Sequence, residues 1–293
     1  MAANEKGAVL VTGASTGIGR ATALHLDAGG RRVFAGVRKQ SDADSLSEAG
    51  SERLTPVTLD VTDRASIATA RERVEEAVGE AGLGGLVNNA GIATAGPVEH
   101  LPIEEFSRVL DVNLTGQYAV TQEFLPLIRR GRGTILFITS IGGVVASPFM
   151  SPYHAAKFGL EGLADSLRRE LKPWEIDVVV VQPGSVATPI WAKGTESFEA
   201  QQPAMGPEAE RLYGNQMEAM KAAIVETAER GIEPERVARV IEAAVASPKP
   251  KTRYLVGTDA RLMRRLSRLI GDRNFDRLMR RSMKLPAEPP PES

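Results

Sequence analysis

The sequence predicts an α/β protein, a doubly wound parallel sheet of about seven strands with helices on both faces. Three observations carry this. Short β-branched runs alternate with helix-length amphipathic segments through most of the 293 residues, the pattern of repeated strand–helix–strand units. Central runs such as Val178 to Val181 are apolar without alternation, as strands covered on both faces require. The first strand runs into a glycine-rich turn and then directly into a helix, Thr12 to Gly19.

Taken in order, the strands read as 8–13 (AVLVTG), 31–37 (RRVFAGV), 54–60 (LTPVTLD), 84–91 (GGLVNNAG), 134–140 (TILFITS), 176–184 (IDVVVVQPG) and 253–257 (RYLVG). Helices are expected near 17–28, 64–80, 103–130, 152–171, 206–230 and 234–246. No linker rich in Pro, Gly or Ser interrupts the first ~250 residues, so residues 1–258 read as one domain. From Arg261 to Lys284 nine Lys/Arg face two Asp, a local charge of +7 that leaves −8 for the remainder of a chain whose net charge is −1. Leu262, Met263, Leu266, Leu269 and Ile270 recur there at helical spacing, so 259–285 reads as a basic helical extension. The closing residues 286–293 (PAEPPPES) have the composition of a disordered tail.

The composition is that of an ordinary globular protein. With no Cys, thiol nucleophiles, thiolate metal sites and disulfides are excluded. Three scattered His (His25, His100, His154) argue against a histidine-built metal centre, so no metal is expected. The near-balance of 36 basic and 37 acidic residues gives no reason to expect nucleic acid. No segment reads as a targeting signal or a membrane span, which leaves a cytoplasmic location as the expectation.

The candidate chemistry lies at C-terminal ends of strands or on the helices that follow, the edge where open α/β sheets bind ligands. In TGASTGIG, Gly13 permits a sharp turn, Gly17 a close backbone approach to a pyrophosphate, and Gly19 close packing of helix on strand; Ser15, Thr16 and Ile18 lie between them. Further along come Asp60-Val61, the run Asn88-Asn89-Ala90-Gly91, Asn113, Ser140, then Tyr153 and Lys157 in YHAAK, and Pro183-Gly184 followed by Val186 and Thr188. Tyr153 and Lys157 are four apart and so share a helix face. An ammonium there favours the tyrosinate and is expected to lower a phenol pKa that is otherwise about 10. His154 is adjacent to Tyr153 but points about 100° away and reads as a surface or packing residue.

These motifs, in this order and spacing over roughly Ala8 to Gly257, resemble the short-chain dehydrogenase/reductase family in its compact form. The resemblance implies a Rossmann-type domain and hydride transfer between a nicotinamide cofactor and a carbonyl or alcohol. It further implies a catalytic group of Asn113, Ser140, Tyr153 and Lys157. Tyr153 would exchange the proton and Ser140 would polarise the substrate oxygen. Lys157 would also hold the nicotinamide ribose, and Asn113 would anchor a water. The family's acidic selector for NAD aligns with Val37, and Arg38 and Lys39 follow. Arg suits a 2′-phosphate, so NADP(H) is expected over NAD(H).

Pro189 to Arg230 falls where the family keeps a variable substrate loop. Its Trp191, Phe198, Met205, Tyr213, Met217 and Met220, with Ile141, Val144, Val145, Phe149 and Met150, offer apolar surface for a lipophilic alcohol or ketone. VFAGVRK and PGSVATPIW lean toward the retinol/hydroxysteroid dehydrogenase side of the family. The resemblance also implies a homodimer or homotetramer. Residues 261–284 admit three readings: packing onto the body, weak peripheral contact with an anionic membrane, or a dimer contact or substrate-site cover. Two other functions are alternatives on the same motifs, a nucleotide-sensing regulator on the same fold and a 3-oxoacyl-thioester reductase. An epimerase or dehydratase reading fails for want of a larger C-terminal domain.

Overall fold

Every residue of strands β1 (Ala8–Val11), β2 (Val33–Val37), β5 (Thr134–Ile138) and β6 (Val178–Pro183) is buried, which is why these runs carry no polar alternation. The computed structural model describes residues 7–286. Together with β3 (Leu54–Thr58), β4 (Leu83–Asn88) and β7 (Arg253–Val256), these strands form one sheet in the order β3-β2-β1-β4-β5-β6-β7. All six pairings are parallel.

Successive side chains of a strand serve opposite layers. Leu10 packs with Phe34, Phe124 and Phe137 under α3 (Arg64–Val78), α5 (Gly116–Gly131) and α6 (Ser151–Glu170). Val9 and Val11 pack with Leu26, Leu46 and Ile241 under α1 (Gly17–Ala28), α2 (Gln40–Ala49) and α8 (Pro234–Ala246). The chain order reverses between β1 and β4, and the groove at that switch point opens at the carboxyl ends of the strands.

Three elements depart from expectation. α2 has no counterpart in the sequence reading, because its ten residues bury only Leu46 and show no apolar stripe. The helix expected at 103–130 is α4 (Ile103–Leu110) and α5 joined by a π-helical turn, Asp111–Thr115, that holds Asn113. The segment expected as a loop before 206 is helical: α7 spans Ile190–Glu229 and breaks at Gly206, whose φ of 78° no helix accommodates. The basic extension forms α9 (Thr258–Leu269) and α10 (Asp272–Ser282). Of the tail read as disordered, residues 287–293 lie outside the described residues, as do residues 1–6. Among the described residues, no helix is long and apolar enough to cross a membrane, and no group of His, Asp or Glu could hold a metal.

Candidate active site

The turn after β1 is held by buried polar side chains. The Thr12 hydroxyl accepts the main-chain N–H groups of Asn89 (2.9 Å) and Ala90 (3.0 Å). The Asn89 carboxamide donates to the carbonyls of Thr12 (2.9 Å) and Gly13 (3.1 Å). Gly13 adopts φ 63°, and a Cβ there would stand 2.7 Å from Ala90 Cα; glycine is required on both counts. A Cβ at Gly19 would collide with the Gly13 carbonyl and the Asn89 carboxamide, as the packing role read for it demands.

This turn opens a cleft of about 500 Å³. Of the residues singled out for the cofactor, Gly13, Ser15, Thr16, Gly17, Ile18, Arg38, Lys39, Asp60, Val61, Asn89, Ala90, Gly91, Tyr153, Lys157, Pro183, Gly184, Val186 and Thr188 line it. The lining fits a dinucleotide. Thr16 caps α1 without a side-chain hydrogen bond, so the first helical turn presents main-chain N–H groups to an anion. Gly17, at φ 55°, faces Thr188 with no room for a side chain beyond 3.0 Å.

Three singled-out residues lie elsewhere. Gly19 packs behind the turn. Asn88, the last residue of β4, is buried and donates to Thr121 Oγ1 on α5 at 2.9 Å. It faces the helix layer, whereas Asn89, one residue later, faces the turn. Asn113 is buried and spends both ends of its carboxamide on Ile92, accepting from its N–H and donating to its carbonyl, each at 2.8 Å. Its side chain braces the chain beyond Gly91.

Ser140, Tyr153 and Lys157 converge on the same cleft. Ser140 Oγ accepts from the Gly142 N–H at 2.9 Å, which leaves its hydroxyl proton free to turn toward the Tyr153 oxygen, its second partner. Lys157 Nζ donates to the Ile138 carbonyl at 2.8 Å and lies 5.7 Å from the centre of the Tyr153 ring. Burial pushes the Lys157 ammonium down to about 8, opposed by the charge of Glu161. The phenol departs from expectation: burial raises the Tyr153 pKa above its ordinary value, and the bond with Ser140 offsets only part of that. Desolvation of the phenolate outweighs the Ser140 hydrogen bond, and the Lys157 ammonium is committed to the Ile138 carbonyl.

Two residues behind this group carry weight that motif reading missed. Glu161, one turn past Lys157, accepts from Thr139 Oγ1 (2.8 Å), Gln182 Nε2 (2.9 Å) and Arg253 Nε (3.0 Å). It ties α6 to β5, β6 and β7, and its signal was the continued four-residue spacing 153, 157, 161. His154 is buried, the packing residue of the two readings it allowed. Its Nδ1 lies 2.8 Å from the Gly142 carbonyl, and Nε2 accepts the Ser147 N–H at 2.9 Å. Burial lowers its pKa, which keeps the ring neutral. That ring braces the loop whose Gly142 N–H holds Ser140.

Beyond Tyr153 the cleft gives way to an apolar chamber of about 280 Å³. Ser140, Tyr153, Gly184 and Trp191 belong to both. Trp191 stands 6.4 Å from Tyr153, ring centre to ring centre. At the opposite end of the cleft, Arg38 follows β2 and contributes to holding the Asp60 carboxylate below its ordinary pKa, behind the hydrogen bonds from Thr62 that do most of it against a desolvation cost.

Comparison with known proteins agrees with this geometry. The family model described as short chain dehydrogenase matches residues 7–198. The chain is 33% identical over 280 residues to an NADPH-dependent 3-dehydrocapnine reductase of Ornithobacterium rhinotracheale, covering 94% of this chain and 96% of that protein. It is 38% identical over 260 residues to human retinol dehydrogenase 16, covering 87% and 82%. A crystal structure of a short-chain dehydrogenase from Streptomyces avermitilis superposes with a TM-score of 0.74 at 28% identity, covering 95% of this chain and 96% of that one. The site lies at the carboxyl edge of a seven-stranded parallel sheet, and both the family match and the similarity to these oxidoreductases extend across it: the chain belongs to the short-chain dehydrogenase family.

Proposed function

We propose that the protein is an NADP(H)-dependent oxidoreductase acting on a secondary alcohol/ketone or a lipophilic alcohol/aldehyde, with Tyr153 as the acid/base. The observation that carries this reading is the place of the Tyr153 hydroxyl. It is buried, bonded to Ser140, and lies at the seam between a cleft that fits a dinucleotide and an apolar chamber. A bound nicotinamide supplies or accepts the hydride. Tyr153 donates its proton to the substrate oxygen in reduction and takes it back in oxidation. Ser140 donates a hydrogen bond to that oxygen, and the fixed Gly142 N–H keeps the serine hydroxyl aimed while it does so. Lys157, with one donor spent on Ile138, has two left for ribose hydroxyls.

Selection of the phosphorylated cofactor falls to Arg38, supported by the absence of an acidic residue at Val37 and by the similarity to an NADPH-dependent reductase. Tyr153→Phe tests the whole reading. Turnover falls by roughly 10³-fold or more while NADPH still binds, as read by nicotinamide fluorescence; retention of a tenth of the activity sinks the assignment.

Two further parts of the proposal concern surfaces. Tyr118 on α5 and Phe158 on α6 are 50% and 46% exposed, which supports a homodimer or homotetramer assembled through those helices; light scattering of Phe158→Glu checks it. Exposed Leu262 and Leu269 among the arginines of α9 support a cytoplasmic enzyme that touches anionic membrane peripherally, and salt-sensitive vesicle cosedimentation checks that.

A further inference from the structure

The family match ends at residue 198, yet the wall of the chamber opposite Tyr153 comes from the far end of the chain. Met263 on α9, Met279 on α10 and Met283 just after it line the chamber, facing Met150 and Met220 on the catalytic side. Met283 packs against the cluster that contains Tyr153 itself. α10 has no buried residue, so no core of its own holds it down, and its inward side chains border open volume. A ligand in the chamber would supply the apolar partner this helix lacks.

The extension is also moored at the reacting end. The Asp259 carboxylate, in the first turn of α9, accepts the Ser185 N–H at 2.7 Å. A Cβ at Gly184 would collide with that carboxylate. Gly184 belongs to the Pro-Gly pair beside the cofactor cleft, so its lack of a side chain makes room for the mooring of α9. The polar end of the chamber is thereby fixed next to the reacting centre, and the distal wall is made of unbranched thioethers that adapt to an irregular apolar shape.

On the reading that this is the reaction chamber, we propose that Met263, Met279 and Met283 are its distal specificity wall and select elongated apolar alcohols or ketones over short ones. The substrate's oxygen sits at Tyr153 and Ser140 and its hydrocarbon runs beneath α9 and α10.

The test compares the full chain with Met279→Asp/Met283→Asp and with Met279→Leu/Met283→Leu, on 2-butanol and 2-dodecanol. The wild type should favour 2-dodecanol in kcat/KM by at least about tenfold, since each buried methylene contributes about 0.8 kcal/mol. The aspartate pair should lose that preference through a raised KM for 2-dodecanol, with a much smaller change in KM for 2-butanol, and the leucine pair should restore it. Equal losses on both alcohols, or no loss, overturn the wall. Should the wild type turn over neither alcohol, the Trp191 fluorescence of each protein, in a Trp174→Phe background, is titrated with 2-dodecanol in the presence of NADP⁺. Weakening of about tenfold or more by the aspartates upholds the wall while the oxidoreductase reading fails alone; equal affinities overturn the wall.

Discussion

The two sides of the site are built on different principles. The cofactor side is a set of main-chain turns clamped by buried polar groups: Thr12 and Asn89 hold the glycine turn, Asn113 holds Ile92, and the Gln117 carboxamide donates to the Ala90 carbonyl at 2.7 Å. The substrate side, built from the loop before α6 together with α7, α9 and α10, is lined by Met, Trp and Phe that meet one another without directional bonds. A clamp that pairs a buried N–H or carbonyl admits few residue types, because its loss leaves that group unsatisfied. An apolar wall admits any residue of similar volume.

Substitutions can sharpen or break this contrast. The largest stability effect is expected at Asn113→Leu, which strands both the N–H and the carbonyl of Ile92. Urea unfolding should show a loss of about 2–4 kcal/mol, and a loss below 1 kcal/mol would deny that the clamp is structural. Arg38→Asp, at the exposed rim, should weaken NADPH binding by roughly 10- to 100-fold and NADH binding far less; titration with each cofactor decides, and equal weakening removes Arg38 as the reader of the 2′-phosphate.

Lys157 adds a pH arm. Its native pKa of about 8 lies below the ordinary 10.5, so the unfolded chain holds a proton that the native chain has released between these values. Stability therefore rises with pH across that window, and the buried ammonium costs about 3 kcal/mol at pH 7. Lys157→Met should raise stability at pH 7 by about 1–2 kcal/mol, the unpaired Ile138 carbonyl offsetting the rest, while turnover is abolished. Thermal melts should show the gap between the two proteins closing toward pH 10.5. The smallest effect is expected on the apolar side, where Met217→Leu should cost less than about 1.5 kcal/mol and leave cofactor affinity unchanged. A larger loss there would mean the wall is as exacting as the clamp.

The same contrast explains how much of the fold and site is legible in the sequence. Gly13, Asn89, Ser140, Tyr153 and Lys157, which line one cleft, were legible because a tight turn and the proposed proton transfer each demand one or two residue types at a set spacing. Asn88 and Asn89 looked alike in sequence, and only the alternation of the strand end sends one to α5 and the other to the turn. α2 was missed because one buried leucine makes no periodic signal. Residues 190–205 read as loop although they are helical, since Trp191 lines the chamber while Phe198 and Met205 pack with Met217 in a separate apolar cluster, which breaks up a single helical stripe. For His154 the sequence left surface and packing undivided, because its partners, Gly142 and Ser147, contribute only main-chain and hydroxyl atoms.

The π turn at Asp111–Thr115 makes the catalytic edge sensitive to chain length as well as to side-chain chemistry. A π turn carries one residue more than the α-helical turn it replaces. Deleting a single residue within it would let α4 and α5 fuse into a regular helix, a gain in hydrogen-bond geometry. The same deletion would leave the two flanks in register, since the extra residue is absorbed within that one turn, but would draw out the bulge that sets Asn113 on Ile92. At this point in the chain, a more regular helix and a working cleft exclude each other.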